Sequence, residues 1–267
     1  MKHVVAGAAL GAIAILADLP FAHAQNQPAV FGPAETTRLT TFYRPYIRLG
    51  IGAEQTALDD ENWLPPGDSD PEVFFDLDDA SGAMGSLALG RDWGRGVRAE
   101  IALLGFGKKD FEGDWSYTIP ETPGPHASVE AQVSSGALMA NVYYSPFEAQ
   151  GNTGQFQPFA MAGIGVSRNA MDDWTRINPD AGQERRTFEG ASKTDLAWTV
   201  GVGAAWQISA RGQKPVMLEL LYQYVDLGRA EGGNQPLPGS GTSEPRRGLG
   251  FDVSSQVVSI GVRIPFD

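Results

Sequence analysis

The one constellation of side chains with the types needed for covalent chemistry is His126-Ala127-Ser128 with Glu130 nearby. They follow Pro123-Gly124-Pro125, which sets them in a loop, and no nucleophile-elbow or phosphate-loop motif accompanies them in the body of the chain. The other histidines, His3 and His23, lie near the N-terminus, and there is no cysteine. A thiolate metal centre and a disulfide framework are therefore excluded, and the histidine count argues against a multi-histidine site. The expectation is no catalytic residue, no bound metal and no cofactor.

A second set is acidic. Between Glu54 and Asp79 stand Glu54, Asp59, Asp60, Glu61, Asp68, Asp70, Glu72, Asp76, Asp78 and Asp79, with no lysine or arginine among them. Carboxylates are hard-cation ligands, yet Asp76-Leu77-Asp78-Asp79-Ala80-Ser81 lacks the Asp or Asn and the Gly that a calcium loop requires at its fifth and sixth positions. A solvated acidic loop is expected, with divalent-cation binding as the alternative. The net charge of −12 speaks against nucleic acid as a partner, since phosphate binding needs a basic footprint.

One repeated element must position these groups. In Val257 to Phe266, residues Val258, Ile260, Val262, Ile264 and Phe266 share one parity, while Val257, Ser259, Gly261, Arg263 and Pro265 share the other. Such a strand is oily on one face and small or polar on the opposite one. Seven earlier segments repeat the pattern: 46–53, 83–91, 97–104, 132–144, 156–167, 196–208 and 216–225. Connections between them alternate between long (54–79, 105–130, 168–193, 228–252) and short, the short ones centred on Asp92 to Gly96, Ser145 to Gly154 and Ala210 to Gln213. This alternation predicts an all-β, eight-stranded antiparallel up-and-down transmembrane β-barrel over residues 45–267, with four long extracellular loops and three short periplasmic turns. A soluble barrel would place large apolar residues inside and polar ones outside, the reverse of these faces.

The third set of chemical side chains then points inward: Arg48, Arg98, Glu100, Glu219 and Arg263, interleaved with Gly50, Gly52, Gly163, Gly165, Gly201, Gly203 and Gly261. An eight-stranded barrel is only wide enough for side chains to fill, so these charges are expected to pair across the lumen, with glycines making room for the arginines. A selective arginine-lined pore is the alternative. Trp93, Tyr144, Phe156, Trp206 and Phe266 fall at the short-turn ends of their strands as an interfacial aromatic girdle. Trp198 stands eight residues from Trp206, roughly 20 Å of height at a tilt of about 40°, close to an apolar band. Trp63, Phe74, Phe75, Trp115, Tyr117, Trp174 and Phe188 fall in the long connections, as a partner surface or as packing between loops.

At the N-terminus, Lys2 and His3 precede an uncharged run from Val4 to Ala17, and Ala22-His23-Ala24 has the form a signal peptidase reads. Residues 1–24 are expected to be a cleaved signal peptide and 25–44, with Pro28 and Pro33, a periplasmic arm. Export to the outer membrane of a Gram-negative bacterium follows.

The stretches Tyr46-Ile47-Arg48-Leu49-Gly50, Leu138-Met139-Ala140-Asn141-Val142-Tyr143-Tyr144, Pro158-Phe159-Ala160-Met161-Ala162-Gly163-Ile164-Gly165 and Tyr222-Gln223-Tyr224-Val225-Asp226-Leu227-Gly228 resemble the OmpA-like, opacity-type outer-membrane β-barrel family of proteobacteria. The resemblance covers about Tyr43 to Phe266 and implies a structural or surface-interaction role through the long loops, or a narrow porin as the alternative. It implies as partners outer-membrane lipid and lipopolysaccharide, the outer-membrane assembly machinery, and an extracellular or envelope protein. Family chains usually end on an aromatic residue, whereas here Asp267 follows Phe266. His126-Ala127-Ser128 is similar to the His-x-Ser of outer-membrane lipid A deacylases but lacks the Asn that follows Ser there, leaving a lipid A-modifying enzyme as a second alternative.

Overall fold

The structure, a computed structural model, describes residues 44–123, 127–152, 154–209 and 215–266. The expected signal peptide, the arm up to residue 43, His126, the turn at 210–213 and Asp267 lie outside the described residues.

The strands in chain order are β1 (Arg44–Leu64), β2 (Glu72–Leu77), β3 (Ala80–Asp92), β4 (Val97–Ile119), β5 (Ser128–Tyr144), β6 (Phe156–Met171), β7 (Trp174–Ile177), β8 (Arg185–Phe188), β9 (Ala191–Gln207), β10 (Met217–Glu231) and β11 (Arg247–Pro265), with one short helix, α1 (Pro146–Ala149), between β5 and β6. Eight of them form an antiparallel ring, β1-β3-β4-β5-β6-β9-β10-β11, which β11 closes by pairing with β1 from Tyr46↔Pro265 up to Asp59↔Asp252. Closure leaves the ring without an unpaired edge, the condition for backbone polar groups to survive in lipid.

The alternation read from the sequence decides which way each side chain points. Leu49, Ile51, Leu87, Leu89, Ile101, Leu103, Leu138, Val142, Ile164, Val166, Leu196, Leu220, Val258 and Ile260 are all exposed on the outer wall. Trp93, Tyr144, Phe156, Trp206 and Phe266 are exposed at its short-turn end, where Phe156 and Trp206 lie 5.2 Å apart. The apolar band stops at a common level on the other side, where Gln55 faces Gln256 and Arg168 lies between Gly136 and Thr194.

The strands do not stop there. The segments expected to be long connections carry strand onward: β1 runs to Leu64, β4 to Ile119 and β11 begins at Arg247. The 23 residues of β4 amount to roughly 75 Å of strand, far more than a band of about 25 Å needs even when tilted. Pairing persists because hydrogen bonds between strands need no lipid; only the outward apolar residues cease. Breaks in register at Phe106/Lys109, Asp59/Asn62 and Asp226/Arg229 shift the strands locally, so that Phe106 and then Lys109 and Phe111 point inward. Three short strands extend this upper body: β2 joins β1 and β4, and the β7–β8 hairpin joins β5.

Turn chemistry sets the narrow end. At Gly94-Arg95-Gly96 all three residues have positive φ (69°, 55° and 79°), Asp92 Oδ1 accepts from Gly94 N at 2.8 Å, and Trp93 N donates to Val97 O at 3.0 Å.

Candidate functional site

The interior is filled tier by tier. In the lowest tier, at the short-turn end, Arg48 on β1 donates from Nη2 to Glu100 Oε1 on β4 at 2.5 Å and from Nε to Oε2 at 3.2 Å. The same carboxylate accepts from Tyr143 Oη at 2.6 Å and Tyr46 Oη at 3.1 Å. Beside it, Glu219 Oε1 on β10 lies 2.8 Å from both Arg98 Nη1 and Arg263 Nε, and Arg263 Nη1 reaches Asp92 Oδ2 at 3.2 Å. Three guanidinium groups thus meet three carboxylates. Arg98 has its guanidinium 4.3 Å from the Tyr143 ring centre and 4.6 Å from that of Phe159, so aromatic faces cover what carboxylates do not.

Several of the glycines stand against rings and an amide. A Cβ on Gly203 would stand 2.6 Å from the Phe159 ring, one on Gly163 2.0 Å from Asn141 Oδ1, and one on Gly90 2.3 Å from the Tyr46 ring. Rings and an amide fill those spaces. Arg48 Nη1 lies 3.5 Å from a Cβ built on Gly50, and in the upper body Arg229 Nη2 lies 3.0 Å from one built on Gly250.

Above this tier, Met139, Ala88, Ala102 and Leu221 are buried, and then a second pair, Lys109 Nζ to Glu54 Oε1 at 2.9 Å, is sealed with side-chain exposures of 4% and 0%. Thr56 Oγ1 donates to Glu54 Oε2 at 3.2 Å and shares a hydrogen bond with Ser255 at 2.8 Å. Higher still the lining is apolar: Leu58, Phe111, Leu249, Phe251 and Val253, with Phe111 and Phe251 at 5.9 Å.

The acids between Glu54 and Asp79 do not form one loop. Glu54 points into the lumen; Asp59, Asp60 and Glu61 lie on β1; Asp68 and Asp70 lie in the turn after it; Asp76 is on β2, and Asp78 and Asp79 link β2 to β3. Asp60 is ion-paired to Arg229 at 3.0 Å, and Arg229 also meets Asp252 at 3.3 Å and donates to Asn62 Oδ1 at 2.7 Å. Among the described residues no three acidic or histidine side chains converge as a metal site. The acids that do gather are ones the sequence did not single out as a group: Asp110, Glu112, Glu130, Asp172, Asp173 and Glu189 line a cleft of about 790 Å³ beside β4, β5 and β6. Glu130 there is bridged by Arg185 at 2.7 Å and Asp172 by Lys108 at 2.6 Å. Ser128 opens β5.

Of the aromatics in the long connections, Trp63, Phe74, Phe75, Trp174 and Phe188 are buried. Trp174 stacks on Phe188 at 4.4 Å, meets Trp63 edge-on at 6.4 Å and donates from Nε1 to Gly233 O at 2.9 Å. They are the core of the upper body. Tyr117 stays exposed and stacks on Phe74 at 4.5 Å.

A closed ring of eight antiparallel strands, apolar outside over one band and packed within, defines a transmembrane β-barrel of the outer-membrane kind. No protein-family model matches the sequence, and no curated protein matches it. Among solved structures the chain is similar to Neisserial surface protein A, at 13% identity over 83% of this chain and 97% of that one, with a TM-score of 0.42. It is similar to outer membrane protein OprG from Pseudomonas aeruginosa, at 14% identity over 84% and 96%, with a TM-score of 0.42. It is also similar to the outer membrane protease OmpT from Escherichia coli, at 12% identity over 88% and 100%, with a TM-score of 0.45.

Proposed function

We propose that this chain is a non-catalytic surface-interaction protein of the Gram-negative outer membrane, with its short turns in the periplasm and its upper body outside the cell. The observation that carries this reading is the continuation of the ring strands past the apolar band into a body with its own buried core, including Phe111, Trp174, Phe188, Leu249 and Phe251. A barrel built only to span lipid has no use for that height. A packed body holds its outer surface in one shape, which lowers the ordering cost of binding a partner. The outer wall takes membrane lipid and lipopolysaccharide, and the signal peptide and closing strand serve export and the assembly machinery.

The lumen of this reading is shut, because paired charges and aromatic rings occupy its lowest tier and apolar side chains its upper ones. Conductance of the refolded protein in a planar bilayer tests it, with an unboiled gel sample to establish folding. A folded, silent barrel is the expected result. Steady ion-selective steps that weaken when Arg48, Arg98 or Arg263 is neutralised would replace this reading with a narrow porin.

A further inference from the structure

In the β7–β8 hairpin, Arg176 and Arg186 are direct cross-strand partners. Like charges opposite one another weaken an antiparallel pair, and the contacts of these two are with carbonyls and rings, the Arg186 guanidinium lying 5.1 Å from the centre of the Phe188 ring. Arg176 Nη2 donates to Gln183 O at 3.4 Å, and Arg186 donates to the carbonyls of Ser240, at 2.7 Å, and Ser243. Among the described residues neither guanidinium has an ion-pair partner. Elsewhere in this acidic chain Arg48, Arg98, Arg229, Arg247 and Arg263 each have a carboxylate. Burial and the neighbouring Arg186 both push the Arg176 pKa down, and burial lowers that of Arg186, the direction expected of cations lacking an anion.

Both arginines line a cavity of about 340 Å³ at the top of the upper body, together with Trp63, Trp115, Pro66 and Asn178. The Arg176 guanidinium lies 5.8 Å from the centre of the Trp63 ring, and Trp63 Nε1 is buried with no hydrogen-bond partner among the described residues. Asp70 also lines the cavity, with Oδ2 accepting from Gly67 N at 2.9 Å in its own turn. Guanidinium forks match planar oxyanions, indole supplies flat apolar surface with a polar edge, and a volume above about 300 Å³ suits a small ligand.

We propose that this cavity binds an acidic sugar unit of a glycan, with its carboxylate or sulfate held by Arg176 and Arg186 and its ring seated among Trp63, Trp115 and Pro66. The occupant neutralises the opposed arginines, which is why the hairpin tolerates them. This inference rests on the upper body being the exposed working surface.

The test uses the full mature chain refolded in detergent micelles, with gel mobility establishing the fold of every variant. The probes are a labelled uronate oligosaccharide, the same oligosaccharide with its carboxylates reduced to alcohols, sodium sulfate and a polyglutamate peptide. Binding of the uronate form, at least tenfold weaker binding of the reduced form, and at least tenfold loss in both Arg176→Gln and Arg186→Gln are expected. Equal binding of the two sugar forms, no loss in either variant, or tighter binding of polyglutamate or of sulfate alone overturns the proposal. A separate epitope inserted at Gly182, in the β7–β8 turn, reports exposure on intact cells. If antibody reaches it and no sugar binds, the sugar site falls and the surface reading stands; if antibody cannot reach it, both fall.

Discussion

Removing the Glu219 carboxylate should be among the most damaging single changes in the lumen. In Glu219→Leu, Arg98 loses the one ion-pair partner it has among the described residues while remaining buried between the Tyr143 and Phe159 rings, whereas Arg263 keeps Asp92. Stranding one buried cation costs about 3–5 kcal/mol. The hydrogen bond lost by Arg263 adds about 1 kcal/mol, so the expected loss is about 4–6 kcal/mol. The double variant Arg98→Met/Glu219→Leu removes the stranded charge and lets a flexible thioether pack between the rings, so its loss should be only about 1–2 kcal/mol. Equilibrium urea unfolding in micelles, followed by tryptophan fluorescence, measures both. The reasoning fails if the double variant is as damaged as the single one, because the cost would then come from lost volume and not from an unpaired charge.

Gly203→Ala should destabilise the barrel by about 1–3 kcal/mol, because the new Cβ meets Leu220 O at 2.3 Å and the Phe159 ring at 2.6 Å, while Gly85→Ala and Gly105→Ala, which meet nothing within 4 Å among the described residues, should be tolerated in the same assay. Phe111→Ala should cost about 3–5 kcal/mol by opening a space against Phe251, seen as protease cleavage of the upper body at a concentration that spares the wild type. Glu148, on α1 outside the membrane span, has its carboxyl pKa raised above 4.5 by burial and by Asp92, against the opposing pull of Arg263 and Arg98. Its raised folded-state value means that stability is intact below pH 4.5 and falls as pH rises through the folded pKa. Unfolding midpoints of Glu148→Gln and wild type should therefore agree near pH 4 and diverge in favour of the variant towards neutrality; a constant offset would refute the assignment.

What the sequence made legible tracks what the solvent demanded. Lipid forces every outward residue of the band to be apolar, so parity alone gave the ring strands, their order and the inward direction of Arg48, Arg98, Glu100, Glu219 and Arg263. Above the band that demand ends. The breaks at Asp59/Asn62, Phe106/Lys109 and Asp226/Arg229 then shift the pattern in three strands, so that a reading by twos dissolves where pairing in fact continues. Partner choice was hidden for a different reason. In the ladder Glu219 faces Gly261 and Ala205, while Arg98, with which it pairs, belongs to a strand not bonded to β10 and meets it only across the closed lumen. The opposition of Arg176 and Arg186 lies between these cases. It is a local pairing across a hairpin whose register depends on the turn at 178–184, where Asn178 Oδ1 accepts from Asp180 N at 3.0 Å and Asn178 N donates to Glu184 O at 2.7 Å. Shift that turn by one residue and Arg176 would face Thr187 or Arg185, changing the spacing of the two guanidinium groups on which an oxyanion site depends. A one-residue deletion at Gly182 should therefore abolish uronate binding while leaving the ring strands folded.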